Sequence, residues 1–305
     1  MVKLPDGTLG MFLRSCIQKI FNQLNDEQYI CLYYYILRGK SIKGLYVPKT
    51  IEDKLQWLKL HYHNDLLHTL VDKLAVRDYV LSKIGKQYLN ELYFAGDTIS
   101  AEQYLSLPDK FVIKGTHGSE MNLICTNKNK TPYELVLKKM NVWKQQDYYR
   151  SRREWAYKGI PRRIICEKYM IDSNGKIPVD YKIFCFNGTP EFIAVDIDRF
   201  TNHKRVFYNC QWEKTKMIDC YSHYQGELNK PANLHEMLSI ANKLSEGLPF
   251  ARVDLYSLND TKIIFGEITM YPNSGSIYFT DDKYNYQYGQ LIRTEHLQGV
   301  SSHES

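Results

Sequence analysis

The chain has 305 residues, of which 44% are hydrophobic and 24% charged, and its formal net charge of +6 corresponds to a pI of about 8.7. These values are typical of a globular protein with one large or two ordinary domains. The pI lies below the value of about 9 or more that marks a dedicated nucleic-acid-binding domain, so no nucleic-acid partner is expected. No apolar run approaches the roughly 18 residues of a transmembrane helix.

The seven cysteines form an odd set without a Cys-x-x-Cys pair, and most lie within apolar runs. This usage is typical of buried free thiols in a reducing compartment. Residues 1–7 also lack the pattern of a signal peptide. We therefore expect a cytoplasmic protein.

Residues 1–70 are predicted to form a helical N-terminal region. Apolar residues at helical spacing predict helices over 9–24 and 26–37, followed by a loop over 40–48. Thr50 and Asp53 have the spacing of a capping box that opens a helix through residue 60. The histidines at 61, 63 and 68 lack a cysteine or carboxylate to complete a metal set, and we interpret them as ordinary surface and core residues.

Residues 71–170 alternate helical and strand-like segments. A helix is predicted over 72–84, and strands over 87–94 and 108–114. Lys114 closes the second strand, and the small-residue loop that follows it at 115–119 can direct backbone N–H groups at phosphate. The loop is not a Walker A sequence, and an ordinary turn explains it more simply.

Thr131 is predicted to cap a helix over 132–146, with Pro132 at its first position. The segment 147–163 that follows interleaves five arginines with four aromatic residues. Such a pattern can follow a nucleic-acid backbone or bind an anionic sugar. It is equally typical of a solvated helix face with one buried aromatic stripe, which we favour.

Residues 171–296 are predicted to form a second lobe built on an antiparallel sheet, followed by a flexible tail over 297–305. Asn187-Gly188 is a strong hairpin signal. Helices are predicted over 231–246 and 281–293. The strand-like runs that precede them cover 163–170, 178–187, 190–198 and 205–209.

The segment 252–275 is the centre of the prediction. Two apolar runs flank an Asn-Asp break, which predicts a β-hairpin. With the loop centred at 260/261, Asp254 lies opposite Glu267, and Arg252 and Thr269 share their face. Directly opposed carboxylates repel each other, so a cation is expected between them, and Mg²⁺ holding nucleotide phosphates suits these ligands. An edge strand with solvated charges is the alternative.

Taken in chain order, these segments predict an α+β fold whose two lobes hold a nucleotide between them. Five motifs carry a more specific signal: Asp-Lys before a helix, Val-Ile-Lys, Glu-Lys-Tyr-Met, Arg-Val-Asp and Gly-Glu-Ile-Thr-x-Tyr-Pro. Their order resembles that of the ATP-grasp superfamily, including the ligases that join D-alanines. The closest resemblance is to its teichuronopeptide-biosynthesis (TupA-like) branch, from about residue 48 to 292.

The resemblance implies a role for each matching residue. Arg252 would stabilise the charge that develops on an acyl-phosphate under attack, and Lys114, the second residue assigned a catalytic role, would approach the nucleotide phosphates. The implied ATP-binding residues are Lys73, Lys114, His117, Gly118, Ser119, Glu167, Lys168, Tyr169, Met170 and Lys182. The implied Mg²⁺ ligands are Asp254, Glu267 and Thr269. The implied substrate-binding residues are Arg199, His203, Arg205, Asn273 and Ser274.

Two points stay open in this comparison. The family places a further cation near the transferred phosphate, and Lys182, Arg199 and Arg205 are all candidates. The usual metal motif is Glu-x-Asn, whereas Thr269 stands here at the asparagine position. A hydroxyl, a water molecule or Asn273 can replace that ligand, so the site is expected to hold one or two Mg²⁺ ions.

The implied function is that of an ATP-dependent carboxylate–amine ligase that forms an acyl-phosphate. Its setting would be the attachment of an amino acid or peptide amine to a uronic-acid carboxyl of a surface polysaccharide or its precursor. One alternative is a glycosyltransferase of the same pathway, which would need a carboxylate-bound divalent ion but leaves the paired lysines unexplained. Another is a non-catalytic module that binds anionic polymer through 147–163.

Overall fold

The structure is a computed structural model that describes residues 21, 23–39, 43–198, 202–295 and 297. Most of the helix predicted over 9–24, Arg199 and nearly all of the tail predicted over 297–305 lie outside these residues. In the part of the chain that is described, no helix has the length and hydrophobicity needed to cross a membrane.

Three helices begin the described chain, and local sequence signals explain two of them. α1 (Asp26–Arg38) begins at a capping box formed by Asn25, and α3 (Ile51–His61) begins at the predicted capping box of Thr50 and Asp53. α2 (Lys43–Tyr46) is a single turn inside the segment predicted as a loop.

The helix predicted over 72–84 begins later in the structure, as α5 (Val76–Lys83). The preceding helix, α4 (Leu66–Val71), was not predicted, and it ends before Asp72. The Asp72 side chain accepts hydrogen bonds from the backbone N–H groups of residues 74 and 75. This local turn competes with continuous helix, which is why the periodicity of the sequence was not sufficient to place the boundary.

The first sheet is antiparallel, with the strand order β1-β4-β2-β3. Its strands are β1 (Leu92–Gly96), β2 (Phe111–Gly115), β3 (Asn122–Cys125) and β4 (Ile164–Lys168). The strand predicted over 87–94 therefore begins later, after a short 3₁₀ turn at Lys86–Tyr88. The sequence did not predict β3.

Helices cover this sheet and connect it to the next segment. They are α6 (Ala101–Ser106), α7 (Tyr133–Gln145) and α8 (Tyr148–Arg152). α7 contributes Val136 and Met140 to the core around Phe111. The prediction that Thr131 caps α7 was wrong. Pro132 occupies the N-cap position, and the Thr131 hydroxyl donates instead to the carbonyl of residue 127.

The second sheet has the strand order β10-β9-β5-β6-β7-β8. Its strands are β5 (Val179–Phe186), β6 (Thr189–Ile197), β7 (Lys204–Asn209), β8 (Ser222–His223), β9 (Phe250–Leu258) and β10 (Lys262–Thr269). The predicted hairpin turn joins β5 and β6, with Asn187 at φ 49° and Gly188 at φ 79°. These positive φ values are those of the favoured two-residue hairpin turn.

The two faces of the second sheet differ in character. Alternate residues such as Ile183 and Val253 face the apolar core, to which α9 (Leu234–Ser245) contributes its buried side chains. The opposite face of the same strands includes the charged residues Asp180, Lys182, Arg252 and Asp254. α10 (Asp282–Leu291) packs against the start of α3, where an added Cβ at Gly289 would lie 2.2 Å from the Lys49 carbonyl oxygen. Only glycine permits this close approach.

Candidate active site

The β9–β10 hairpin has the predicted pairing, but a bulge produces it. The loop 259–261 is centred on Asp260, slightly before the predicted centre, and a register shift at Gly266 corrects the difference. Asp254 therefore lies opposite Glu267, as predicted. An added Cβ at Gly266 would lie 2.9 Å from the Asp254 carbonyl oxygen, so the bulge depends on glycine.

Arg252 lies between the two carboxylates of the hairpin. Its Nε donates to Oδ1 of Asp254 (2.6 Å), and its Nη2 donates to Oε1 of Glu267 (2.9 Å). The same Nη2 donates to the Thr269 hydroxyl at 3.0 Å. The four side chains thus share one face, and the guanidinium supplies the cation that the sequence required there. The hairpin needs no metal ion to keep its carboxylates together.

Lys182 extends this charged face to the neighbouring strand. Its ammonium donates to the carboxylates of Asp180 and Asp254, the latter at 2.8 Å, and lies 3.8 Å from Oδ2 of Asp196. Burial by itself lowers the pKa of Lys182, but the charges of Asp254 and Asp180 outweigh burial and raise it. Lys182 is therefore held as a cation beside the hairpin.

Arg205 and His203 lie at the far end of the same face. Arg205 donates two hydrogen bonds to Asp196, at 2.6 and 3.0 Å, and one to Asp219 at 2.7 Å. Nε2 of His203 lies 3.0 Å from the same Asp196 carboxylate. Arg205 also lies over the ring of Tyr221, 4.1 Å from its centroid. The guanidinium of Arg205 is therefore fixed by its own neighbours.

Two lysines face this surface from the first lobe. Lys114 donates to Oε2 of Glu167 at 2.8 Å, and Arg77 donates to Oε1 of the same carboxylate at 2.7 Å. Lys73 donates to the carbonyl of Gly118 in the loop after β2. Burial, together with the charge of Lys114, lowers the pKa of Lys73, while Glu267 opposes this effect.

The loop between β2 and β3 is anchored to α7 through one of its side chains. The His117 side chain is buried, and its Nε2 lies 2.9 Å from the Trp143 carbonyl oxygen on α7. Burial lowers its pKa. An added Cβ at Gly118 would lie 3.1 Å from the Tyr148 side chain, whereas Ser119 is exposed. Within the predicted phosphate loop, Gly118 is buried and Ser119 is the residue exposed to solvent.

A cavity of about 230 Å³ lies between the two sheets. Charged side chains line the cavity on both sides, and the segment 168–170, which links the sheets, closes one end of the cavity. Its lining includes Lys73, Lys114, Lys168, Tyr169, Met170, Asp180, Asp254 and Glu267, with Val112, Ile124 and Ile177 as apolar contacts. This mixture of apolar walls and convergent charges is typical of a small-molecule site.

Glu267 is held in its charged form although it is partly enclosed. Burial raises its pKa, but the charges of Arg252, Lys73 and Lys182 outweigh burial and lower the pKa to about 2. Among the described residues, no group of three or more histidine, cysteine and acidic side chains is arranged to hold a metal ion alone. Two carboxylates and a hydroxyl fit Mg²⁺ whose other ligands are phosphate oxygens and water.

The residues predicted to bind substrate at the end of β10 form a short 3₁₀ turn, Pro272–Gly275. Asn273 is exposed, and the carbonyl of Ser274 accepts hydrogen bonds from Gln56 and Lys59 of α3. The structure thus brings α3 to the active-site hairpin, a contact for which the sequence held no signal.

Sequence reasoning also assigned no role to Arg77 and Asn90. Arg77 donates to the Asn90 carbonyl at 2.7 Å as well as to Glu167, and the Asn90 amide donates to the carbonyl of Lys168 at 2.9 Å. Both residues therefore hold the segment that closes the cavity. Arg77 lies four residues after Lys73, and this spacing was the only signal available.

The arginines of 147–163 hold elements together. Arg153 is buried 5.1 Å from the ring centroid of Tyr29, and Arg163 donates to Asp72 at 2.8 Å. Arg150 and Arg162 are exposed, and each lies 3.6 Å from Asp147. The favoured interpretation, a solvated helix face with a buried aromatic stripe, describes the segment only in part, because the α-helix covers only residues 148–152 and Arg153 is buried.

The two sheets, antiparallel apart from the short parallel pairing of β7 with β8, enclose a charged cleft. The sequence model of the family described as TupA-like ATP-grasp matches residues 53–293. The chain belongs to this family. No curated protein sequence matches the chain.

The chain is similar to several solved structures at low sequence identity. The D-alanine–D-alanine ligase from Bacillus anthracis is 14% identical, with a TM-score of 0.45 over 73% of this chain and 66% of that one. The corresponding ligase from Coxiella burnetii is 12% identical, with a TM-score of 0.43 and coverages of 75% and 59%. The ATP-grasp ligase PsnB, solved with Mg and ADP, is 6% identical, with a TM-score of 0.45 and coverages of 79% and 65%. The chain thus spans about two thirds or less of these proteins.

Proposed function

We propose that the chain is an ATP-dependent carboxylate–amine ligase. The observation that carries this proposal is the meeting of Asp254 and Glu267 with Lys73 and Lys114 around one cavity, in a chain of the TupA-like ATP-grasp family. Phosphoryl transfer depends mainly on positioning and on neutralising charge. Two carboxylates for Mg²⁺ and two lysines for phosphate supply both, and no protein nucleophile is required.

The phosphates of ATP would lie between the two lysines of the first sheet's side and the two carboxylates of the hairpin. Lys73, Lys114 and the backbone of Gly118 and Ser119 would bind phosphate oxygens, and the segment 167–170 would receive the adenine. Mg²⁺ would be held by Asp254 and Glu267, with Thr269 as the nearest further oxygen. When bound, Mg²⁺ neutralises phosphate charge during transfer.

The chemistry proceeds in two steps. The γ-phosphate of ATP passes to a substrate carboxylate, giving ADP and an acyl-phosphate. The lone pair of an amine attacks the acyl carbon, the C–O bond to phosphate breaks, and a proton from the nitrogen passes to the departing phosphate, so that an amide and inorganic phosphate are released. Arg252 would stabilise the oxygen that gains charge in the second step. Its hydrogen bonds to Asp254 and Glu267, which hold the guanidinium in one orientation, support this role.

Lys182 is the best-placed candidate for the further cation near the transferred phosphate. Its ammonium lies 2.8 Å from Asp254, beside the proposed metal site. The three hydrogen bonds of Arg205 are made to Asp196 and Asp219, and Arg199 lies outside the described residues. Arg205 and His203 would then shape the substrate end of the charged face.

We infer that the substrates belong to the setting which the TupA-like family name indicates. The carboxylate would be a uronic acid of a surface polysaccharide or its precursor, and the amine would come from an amino acid or peptide. Lys182 and Arg205, which alternate with carboxylates on this face, would provide cationic contacts for an anionic sugar. A cytoplasmic location would agree with buried free thiols such as Cys125 and Cys185.

The deciding experiment measures Mg²⁺-dependent ADP release with uronic acids or uronate oligomers crossed against amino acids. Hydroxylamine would be added to trap any acyl-phosphate as a hydroxamate. We expect trapping that depends on ATP and on one carboxylate, and that is lost in Glu267→Gln. ATP binding without hydroxamate from any carboxylate would refute the ligase assignment. Turnover of a nucleotide sugar without ATP would instead favour the glycosyltransferase.

A further inference from the structure

We propose that Gln56 and Lys59 of α3 are positioning residues that hold the loop Asn273–Gly275 as one wall of the site for the non-nucleotide substrates. This inference rests on the proposed ligase function for its kinetic consequence. The structural part, that two side chains of the N-terminal helical region determine the shape of this loop, stands independently of it.

The loop has a left-handed backbone conformation that suits Asn273 and Gly275 but not Ser274. Asn273 and Ser274 have φ values of 51° and 55°, and Gly275 follows at 79°. Two consecutive left-handed residues other than glycine are costly, and such a conformation persists only where the surroundings impose it. Glycine is required at 275, because the third residue continues the left-handed turn.

Two buried side chains of α3 impose this conformation. The carbonyl oxygen of Ser274 accepts a hydrogen bond from Nε2 of Gln56 (3.1 Å) and another from Nζ of Lys59 (3.2 Å). Lys59 also donates to Oε1 of Gln56 at 3.2 Å, which fixes the orientation of the amide. An added Cβ at Gly275 would lie 2.9 Å from Nε2 of Gln56, so the loop is packed directly on this pair.

Burying the Lys59 ammonium costs free energy, which indicates that a fixed position of the loop is important to the protein. Lys59 is only 3% exposed, and burial lowers its pKa while the charge of Glu154 opposes this effect. Removing an ammonium from water is expensive unless it is well paired. Here the ammonium bonds to a backbone carbonyl and an amide. A simple packing role would be filled more cheaply by an apolar residue.

The position of the loop places it at the substrate end of the cleft. At one end of the β9–β10 hairpin, Asn259 accepts a hydrogen bond from the backbone N–H of Ser173, just beyond the segment proposed to receive the adenine. At the other end, β10 passes Glu267 and Thr269 and leads into the loop. The loop and the proposed adenine position therefore lie at opposite ends of one hairpin.

The loop also faces the proposed phosphate loop. Tyr148 lies against Gly118, and its hydroxyl donates to Glu154 at 3.4 Å. Burial raises the pKa of Glu154, and a hydrogen bond from the Ser274 side chain is among the effects that oppose this. A molecule that meets the γ-phosphate would thus lie beside the wall formed by residues 273–275.

The test replaces Lys59 by methionine, which keeps the length of the side chain and removes the ammonium. Lys54→Met is a matched control, because Lys54 lies on the same helix, is 6% exposed and donates instead to the Thr294 hydroxyl at 2.8 Å. Hydrogen exchange at the Gly275 and Ser276 amides reports loop opening, since both N–H groups bond within the loop region. We expect exchange about tenfold faster or more in Lys59→Met, and no change in Lys54→Met.

Kinetics then test the role of the loop. In Lys59→Met, KM for the carboxylate or the amine should rise about tenfold, whereas the Kd of Mg²⁺-ATP stays unchanged. The substrate whose KM rises identifies the one that contacts the loop. Gln56→Met and Gly275→Ala should act in the same direction, the second without removing either donor. These variants keep the test valid if Lys59→Met does not fold.

Several outcomes would overturn the inference. Equal effects of Lys59→Met and Lys54→Met would mean that both lysines only stabilise the helix. An equal loss of ATP affinity would place the effect at the nucleotide. If the wild-type chain forms no hydroxamate or amide, the ligase assignment fails, and the exchange measurement still decides whether Lys59 holds the loop.

Discussion

Arg252 connects the charges of the hairpin, and its two possible roles make different predictions. Its guanidinium bonds to Asp254, Glu267 and Thr269, so it contributes to folding as well as to the proposed chemistry. Removing one partner of such a buried network leaves the remaining charges unpaired. A loss of activity in a single variant therefore has to be separated from a loss of stability.

We expect Arg252→Ala to lower kcat by about 10²–10³, because a donor aimed at developing charge is lost, with a far smaller change in the Kd of Mg²⁺-ATP. Arg252→Lys retains the charge but not the bidentate hydrogen-bonding geometry. Relative to Arg252→Ala, it should therefore restore the free energy of unfolding more than it restores kcat. Steady-state kinetics and thermal melting of both variants provide the measurement. Near-normal turnover in Arg252→Ala would reject the catalytic role.

The lowered pKa of Glu267 predicts how stability depends on pH. Its folded-state pKa of about 2 lies below an unfolded value near 4.3. The ionised carboxylate therefore contributes stability above about pH 4, and this contribution is lost as the pH falls towards 2. The difference in unfolding free energy between wild type and Glu267→Gln should be constant above about pH 5 and shrink below pH 4.

Denaturant titrations at several pH values would test this expectation. Glu246→Gln is a suitable control, because Glu246 pairs with Lys83 at 2.8 Å on the surface, where ion pairs contribute little. Its effect should be small at every pH. If the difference in unfolding free energy between the wild type and Glu267→Gln does not decrease at acid pH, the ion-pair explanation is contradicted.

At the scale of elements, the bulge in β10 determines which side chains meet. Without the register shift at Gly266, the two carboxylates would not be paired. A shift of one residue sends a side chain to the opposite face of a sheet. The bulge is therefore part of the site even though Gly266 has no functional group.

Gly266→Ala should destabilise the protein by about 1–3 kcal/mol and weaken binding of Mg²⁺-ATP, because the new Cβ would press on the Asp254 carbonyl. Gly226→Ala should change stability by less than about 0.5 kcal/mol, since its Cβ would meet only the end of the Tyr224 side chain, which can move away. Denaturant unfolding and calorimetric titration would measure both effects. A Gly266→Ala protein with normal stability and affinity would show that the bulge tolerates a side chain.

At the scale of the whole molecule, a nucleotide bound between the lobes should stabilise both. A non-hydrolysable ATP analogue with Mg²⁺ at 100 times its Kd adds about 2.7 kcal/mol, which corresponds to a rise in Tm of about 4 °C for a chain of this size. Lys114→Met should abolish the rise. Lys110→Met, an exposed lysine just before the same strand, should retain it. An unchanged shift in Lys114→Met would remove Lys114 from the phosphate site.

Local signals predicted much of the secondary structure and the centre of the site. The capping box at Thr50, the Asn187-Gly188 turn and the pairing of Asp254 with Glu267 all depend on residues close in sequence. The boundary near Asp72 and the cap of α7 were predicted wrongly, because side-chain hydrogen bonds and proline geometry competed with periodicity there. The order of five motifs resembled one family, and the family match over residues 53–293 confirmed it.

By itself, then, the sequence determined the hairpin, its charged face and the family, because these follow from alternation along a strand and from short spacings. The tertiary structure alone decided which distant residues join that face. Strand order brings Lys182 beside Asp254, and helix packing carries Lys59 to a carbonyl 215 residues away. Such contacts depend on how elements pack in three dimensions, which no local spacing encodes.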